Sequence, residues 1–182
     1  MREVLLLALS GVLADNLICS RSIGITGGEF KFTTFRSSLL YSLLVTALSL
    51  ASVAVGYPVL AYVLNPIGAQ YFYIALIAAL TAGGIYGIRK MLPKLLSGFT
   101  TAQLTVVFAT AMGLSGIALS QSKYYLALLA VIFYGAGLLL LMLIFFCARL
   151  SLKESRVPRF LQGTPIDLII IAIIALVFHG FN

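Results

Sequence analysis

The chain has 182 residues, of which 62% are hydrophobic and only 9% are charged, and its formal net charge is +7. A soluble domain has roughly 25% charged residues, so a water-facing surface cannot be built from this composition. The positive charge does not indicate nucleic-acid binding, because the basic residues lie in short loops between apolar segments rather than on one face. Attraction to the anionic lipids of a membrane surface accounts for them.

Six apolar segments are candidates for membrane-spanning helices, each of which needs about 20 mainly apolar residues. They cover residues 4–20, 38–64, 70–88, 98–119, 124–149 and 165–181. They predict an all-α integral membrane protein that forms a single six-span domain over residues 1–182. Almost every residue then lies in a span or a short loop, so any function is built from helices inside the bilayer.

The Lys and Arg residues are concentrated in alternate loops. Of the 12, ten follow the first, third or fifth segment, and the other two are Arg2 and Lys123. The ten are Arg21, Lys31, Arg36, Arg89, Lys90, Lys94, Arg149, Lys153, Arg156 and Arg159. Since cytoplasmic loops carry an excess of Lys and Arg, these three loops are predicted to be cytoplasmic and both termini to lie outside.

The first span is interrupted by polar residues and glycines. Asp15 and Asn16 lie within it, and Arg21 follows after one further turn. Three glycines follow, Gly24, Gly27 and Gly28. They disfavour a continuous helix, because glycine has a low helix propensity. The sequence therefore predicts a broken helix near residues 20–28.

Asp15 has two interpretations. A carboxylate inside a span costs about 2.5–3.5 kcal/mol on insertion scales, so it is expected to face protein or water rather than lipid. It either caps or hydrogen-bonds the broken helix beside Asn16, or serves as an ion or proton site with Arg21 as its partner. Exchange of Asp15 for Asn distinguishes the two roles, because Asn keeps the shape and hydrogen bonding and removes the titratable group.

Small residues recur in the third span at a spacing of four. A stripe of this kind lets a second helix approach closely, and here it predicts packing inside the protein. Its members are Ala75, Ala79, Gly83 and Gly87.

The fourth span carries a second interruption, a run of small residues from 109 to 116 that includes Gly113 and Gly116. Weak points in span one and span four lie at matching positions of two three-helix halves. Such pairs are typical of inverted repeats with broken helices. We therefore predict two inverted halves of about 1–95 and 96–182, with helix breaks in spans one and four.

The sixth span begins with residues that favour a helix start. Thr164 suits the N-cap, Pro165 suits the first helical position, and Asp167 places a negative charge in the first turn. Asp167 is therefore interpreted as a helix-start residue rather than as a proton carrier.

Side-chain catalysis and metal binding have no support in the sequence. Cys19 and Cys147 are too few and too far apart for a disulfide framework or a CxxC site. His179 is the one histidine of the chain and cannot form a metal site alone. Phosphate-binding, hydrolase and metalloprotease motifs are absent from the sequence.

With these spans and motifs, the chain resembles the Rnf/Nqr family of ion-translocating electron-transport subunits, and most closely the A-type member of that family. The C-terminal pattern that carries the resemblance consists of Val157, Pro158, Gly163, Ile166, Leu168, Ile169, Leu176, Phe178, Gly180 and Phe181. In the first half, Asp15 and Asn16 replace an Asn pair, and Ile23, Gly24 and Ile25 replace Leu-Gly-Leu. In the second half, Thr110 and Gly116 fit the family's pattern.

The resemblance implies a prokaryotic inner-membrane protein that pairs with a paralogous six-span subunit of opposite topology, beside other Rnf/Nqr-like subunits. In the family, each of the two subunits donates one Cys from either half to a [2Fe-2S] cluster held between them. The matching positions here hold Thr26 and Met112. Neither is a thiolate, which is the ligand that such clusters need. No cofactor is therefore predicted for this chain alone, and a cluster shared with a partner would depend on the partner's cysteines.

Three hypotheses for function follow. The first is a membrane subunit of an Rnf/Nqr-like complex that couples electron transfer to Na⁺ or H⁺ movement, without iron–sulfur ligands of its own and without catalysis on its own. The second is a small-molecule or ion transporter that uses the same inverted-repeat fold. The third is a non-redox scaffold for a paralogous partner.

The distribution of basic residues yields a first prediction, about topology. An alkaline phosphatase fused after Asn182 is expected to be active, and a fluorescent protein at the same position is expected to stay dark, because both termini should lie outside. The measurement is the activity of the paired fusions in intact cells. A bright fluorescent fusion would contradict both the topology and the inverted repeat.

Overall fold

The computed structural model of the chain describes residues 2–14, 35–91, 93, 99–154 and 163–179. Every regular element in these ranges is helical. The longer helices are α1 (Arg2–Leu9), α2 (Phe35–Val59), α4 (Tyr73–Met91), α5 (Thr101–Leu119), α6 (Tyr124–Glu154) and α7 (Thr164–His179). The remaining elements are π-helical turns at Ser10–Ala14 and Leu60–Leu64, a short helix α3 (Asn65–Ile67) and a 3₁₀ turn at Gln70–Phe72.

Four helical segments are long and apolar enough to cross a membrane. They are Phe35–Ile67, Tyr73–Met91, Thr101–Leu119 and Tyr124–Leu152. These segments match the second to fifth predicted spans, and the regular structure of the described residues is all-helical, in agreement with an integral membrane protein. A shorter apolar helix, Pro165–Val177, lies in the sixth predicted span. Residues 15–20 of the first predicted span lie outside the described residues, so the six-span inverted repeat stays a prediction.

The chain divides into two compact units, of which one comprises Met1–Leu43 and Phe133–Asn182 and the other Leu44–Ile132. In the first unit the π turn approaches α6 closely: a Cβ at Gly11 would lie 3.3 Å from the Phe133 Cβ. Phe35 and Phe146 form a tilted ring pair in that unit, with 6.0 Å between ring centroids and 60° between ring planes. The core of the second unit lies between α2, α4, α5 and the start of α6, and includes Val45, Leu48, Val53, Ile77, Val107, Leu114 and Val131.

Pro58 lies inside α2 and changes the hydrogen bonding of the helix around it. Since proline has no N–H group, it cannot donate to the carbonyl of Ala54 four residues earlier. The hydroxyl of Tyr124 donates to that carbonyl instead, at 3.4 Å. The next turn, Leu60–Leu64, is π-helical. The carbonyl that the proline leaves without its N–H partner therefore still receives a hydrogen bond, as a membrane span requires.

A second tyrosine joins the same part of α2 to the loop before α6. The Tyr57 hydroxyl donates to the Ser122 carbonyl at 3.0 Å. The Tyr57 and Tyr124 rings lie 5.4 Å apart between centroids at an interplanar angle of 56°, a tilted geometry that aromatic pairs favour. The two tyrosines thus tie the proline-containing turn to the second unit's α5–α6 loop.

The structure corrects the predicted break in the fourth span. α5 begins with a capping box between Thr100 and Gln103 and runs continuously as an α-helix through Gly113 and Gly116. Each glycine inside a helix costs about 1 kcal/mol relative to alanine. An unsatisfied backbone group in lipid costs several kcal/mol, so a glycine pair without a proline leaves the helix intact.

The structure also corrects the predicted internal packing of the small-residue stripe in α4. Ala75, Ala79 and Gly83 are exposed, and Gly87 is half-buried. A Cβ added at either glycine of the stripe would meet nothing within 4 Å. The packed face of α4 instead contains Ile77 and Thr81. A further glycine on it, Gly84, approaches α2 so closely that a Cβ there would lie 2.8 Å from the Leu48 side chain.

Two serines donate to the same carbonyl where α2 packs on α5. The Ser49 hydroxyl reaches across from α2 to the carbonyl of Ala111 at 3.1 Å. The Ser115 hydroxyl reaches the same carbonyl from within α5 at 2.7 Å. Both serines are fully buried. Only the Ser49 bond depends on the packing of one helix against the other.

This difference generates the second prediction. Ser49→Ala should lower the free energy of unfolding by about 0.6–1.7 kcal/mol, the range for interhelical hydrogen bonds in membranes. Ser115→Ala is the matched control and should change it little, because the bond it removes also forms in the separated helix. Reversible unfolding in mixed micelles of increasing SDS content measures both. Equal losses in the two variants would contradict the interhelical role of Ser49.

Candidate functional site

Most of the predicted site residues lie outside the described residues. They are Asp15, Asn16, Arg21, Gly24, Thr26, Gly27 and Gly28. The predicted break near 20–28 and the two interpretations of Asp15 therefore stay predictions. Met112, Gly113 and Gly116 are described, and all three lie in α5.

Met112 occupies a half-buried position in α5, next to Ala111, whose carbonyl accepts the two serine hydroxyls. Thr110, on the same helix, is also buried, and its hydroxyl donates to the Val106 carbonyl at 2.8 Å. The hydroxyls of Ser49, Thr110 and Ser115 in this part of the protein thus all donate to backbone carbonyls.

The donor chemistry at this position does not fit an iron–sulfur cluster. Such clusters are held by Cys thiolates, whereas Met112 offers a neutral thioether. The described cysteine, Cys147, is exposed and lies in α6. Among the described residues, no group of three His, Cys, Asp or Glu side chains could hold a metal ion.

The structure brings together two charged residues from consecutive predicted spans, Arg149 and Asp167. Arg149, near the C-terminal end of α6, lies 3.2 Å from Asp167 between guanidinium Nη2 and carboxylate Oδ2. Their side chains are 20% and 9% exposed, respectively. Both belong to the first unit. The pair therefore joins consecutive apolar helices at the end where the basic loop lies.

Asp167 keeps its predicted place in the first turn of the last helix, since α7 begins at Thr164. Its other carboxylate oxygen, Oδ1, is buried and has no hydrogen-bond partner among the described residues. A buried carboxylate near a membrane span needs a partner to offset its desolvation, and Arg149 supplies it. Opposite charges at the facing ends of two consecutive spans were the sequence signal for this pair.

Comparison with known proteins identifies two relatives over the full chain, although no protein-family model matches it. One is the A subunit of an ion-translocating oxidoreductase complex of Syntrophotalea carbinolica, 26% identical over 187 aligned positions that cover 100% of this chain and 97% of the relative. The other is the A subunit of the Na⁺-translocating ferredoxin:NAD⁺ oxidoreductase complex of Acetobacterium woodii. It is 25% identical over 187 positions, which cover 98% of this chain and 96% of that protein. The chain is therefore similar, over its full length, to the A subunits of Rnf-type complexes.

The resemblance indicated by the sequence motifs is thereby confirmed. Both Rnf relatives align with this chain over nearly their whole length, so the likeness extends over every predicted span. The apolar helices agree with a multi-pass membrane protein.

The geometry of the charged pair generates the third prediction. Arg149→Met should be more destabilising than Asp167→Asn by about 1–3 kcal/mol, because it leaves a buried carboxylate unsatisfied. Asp167→Asn leaves a cation that can extend along its apolar stem to the interface. The free energies of unfolding of both variants and of the double variant form a double-mutant cycle.

The double variant should recover part of the loss seen in Arg149→Met, since no buried charge remains. Additive losses across the cycle, or a greater loss in Asp167→Asn, would show that the two side chains do not act as a pair in the membrane.

Proposed function

We propose that this chain is the A-type membrane component of an Rnf-like complex, in which electron transfer between ferredoxin and NAD⁺ is coupled to Na⁺ or H⁺ movement. The observation that carries the proposal is its alignment with the two Rnf-type relatives over 96–97% of their lengths. The apolar helices support it, because they give the chain the membrane location that ion translocation requires.

We further propose that the chain works beside a paralogous six-span subunit of opposite topology. The charge distribution supports this arrangement, since its basic loops alternate cleanly and define one orientation. A paralogue with the reverse charge distribution would insert the other way round, and the pair would form a symmetric unit about an axis in the membrane plane.

The chain is proposed to be a degenerate member that lacks iron–sulfur ligands of its own. Thr26 and Met112 stand where the resemblance places the family's cysteines, and the half-buried thioether of Met112 is not a substitute for a thiolate. Electron transfer would then depend on cysteines or other redox centres of the partner subunits. Asp15 remains a proposed structural or ion-binding residue of the first span.

The fourth prediction tests complex membership. A tagged copy of the chain, extracted in mild detergent from its own host, is expected to retain flavin- and ferredoxin-like subunits and a second six-span subunit. Deletion of the gene should reduce Na⁺- or H⁺-coupled ferredoxin:NAD⁺ oxidoreductase activity in membrane vesicles, and the intact gene should restore it. Purification of the chain alone, with vesicle activity unchanged by deletion, would overturn the proposal.

The same preparation tests the absence of a cluster in this chain. The isolated chain should contain far less than one iron per molecule and show no visible iron–sulfur absorbance. Cys19→Ser and Cys147→Ser are the controls and should leave the iron content of the whole complex unchanged. Stoichiometric iron that either substitution removes would show that the assignment of Thr26 and Met112 to the ligand positions is wrong.

A further inference from the structure

A cavity of about 310 Å³ lies within the second unit, where α2 and α5 end and α4 begins. Pockets for small molecules typically have volumes of about 300–1,000 Å³. Leu60 of the π-helical turn and Leu119 of α5 form apolar parts of its wall. Gly116 lies between them on α5 and also lines the cavity.

Among the described residues, the polar part of the wall carries no charge. It consists of Asn65, Tyr71, Tyr73 and Ser120. The amide and the phenols can both donate and accept hydrogen bonds. The Ser120 hydroxyl already donates to the Ile117 carbonyl at 2.6 Å, so it offers acceptor capacity to a ligand. A charged ligand would find no counter-ion on this wall, whereas a neutral hydroxyl or ester group would find several partners.

The surroundings of the cavity are those of a membrane interface. Tyr62, Tyr71 and Phe72 are 83%, 82% and 68% exposed, and aromatic side chains concentrate at the level of the lipid headgroups. The two described loops at this end, residues 68–72 and 120–123, contain one charged residue, Lys123. A lipid at this level would place its headgroup, rather than the ends of its acyl chains, beside the cavity.

Leu60 of the π-helical turn and Gly116 both line the space. A π turn displaces the helix wall from its regular path, and such turns occur frequently at functional sites. A Cβ placed on Gly116 would meet nothing within 4 Å. The absence of a side chain at Gly116 is thus not required by helix packing, and its effect is to leave the cavity open.

We propose that this cavity binds the headgroup end of a neutral lipid, with an uncharged hydroxyl or ester group at Asn65, Tyr71, Tyr73 and Ser120 and the first methylenes of the acyl chains along the apolar wall. This binding site is independent of the proposed electron-transport role. It gives Gly116, which does not break α5, a function in the second half of the chain.

The test uses the full chain in lipid nanodiscs and a diacylglycerol with a photoreactive group on one acyl chain. Labelling should map to the peptide that contains residues 116–120 or the one that contains residues 71–73, and unlabelled diacylglycerol should compete. Gly116→Leu, which fills the open space, should lower this labelling by about tenfold or more, equivalent to about 1.4 kcal/mol of lost affinity per tenfold.

Gly83→Leu is the matched control. It makes the same substitution at a helical glycine that also has nothing within 4 Å of an added Cβ, away from the cavity, and it should leave the labelling unchanged. Asn65→Leu is a second variant, which removes a polar group without filling the space beside Gly116. It should weaken labelling as well. Equal unfolding midpoints of the variants and the natural chain confirm that folding is intact.

Three results would overturn the proposal. The first is labelling that spreads over all lipid-facing helices and is not competed. The second is equal labelling of the Gly116→Leu and Gly83→Leu variants. The third is equally strong labelling by phosphatidylglycerol with the same photoreactive chain, which would show that the site does not select an uncharged headgroup.

Discussion

Inside a bilayer, a backbone N–H or C=O group that lacks a partner within the protein has no water to bond to, and the resulting cost shapes every described helix of this chain. It keeps α5 continuous through two glycines. It also explains how α2 tolerates Pro58, since the Ala54 carbonyl that proline leaves unpaired receives the Tyr124 hydroxyl. The altered register then appears as a π turn, whose last N–H, that of Asn65, donates to Leu60.

The same constraint governs the small polar side chains. Buried serines and threonines occur in several described spans, and many return their hydroxyl protons to nearby carbonyls, as Thr81 does to Ile77 at 2.8 Å. Ser49 differs because its bond crosses from α2 to α5. A hydroxyl that bonds within its own helix lowers the cost of placing that span in lipid. A hydroxyl that bonds to another helix favours the packing of those two helices.

Ionised side chains are restricted more strongly than hydroxyls, because an unpaired charge in the membrane is more costly than a neutral polar group. Arg149 and Asp167 lie where two consecutive apolar helices meet the predicted cytoplasmic side, and burial of the carboxylate is tolerated because a guanidinium lies 3.2 Å away. This arrangement leaves the middle of the described spans free of ionised side chains. In a protein proposed to serve ion-coupled electron transfer, any charge movement through this part of the chain would rely on partners or on the predicted first span, which contains Asp15.

The membrane class, four of the spans within a few residues, the start of α7 and the similarity to Rnf A subunits could all be predicted from the sequence, because hydropathy, caps and motifs are local properties of the chain. The predicted break at the glycines of α5 was wrong, because the low helix propensity of glycine costs less than unpaired backbone groups in lipid. The predicted internal packing of the α4 stripe was also wrong, since the spacing of Ala75, Ala79, Gly83 and Gly87 defines a face but not what covers it. Only the tertiary structure decided that Ile77 and Thr81 pack inward, that Arg149 meets Asp167, and that Gly116 lines a cavity, because each depends on the position of a neighbouring helix that no local pattern encodes.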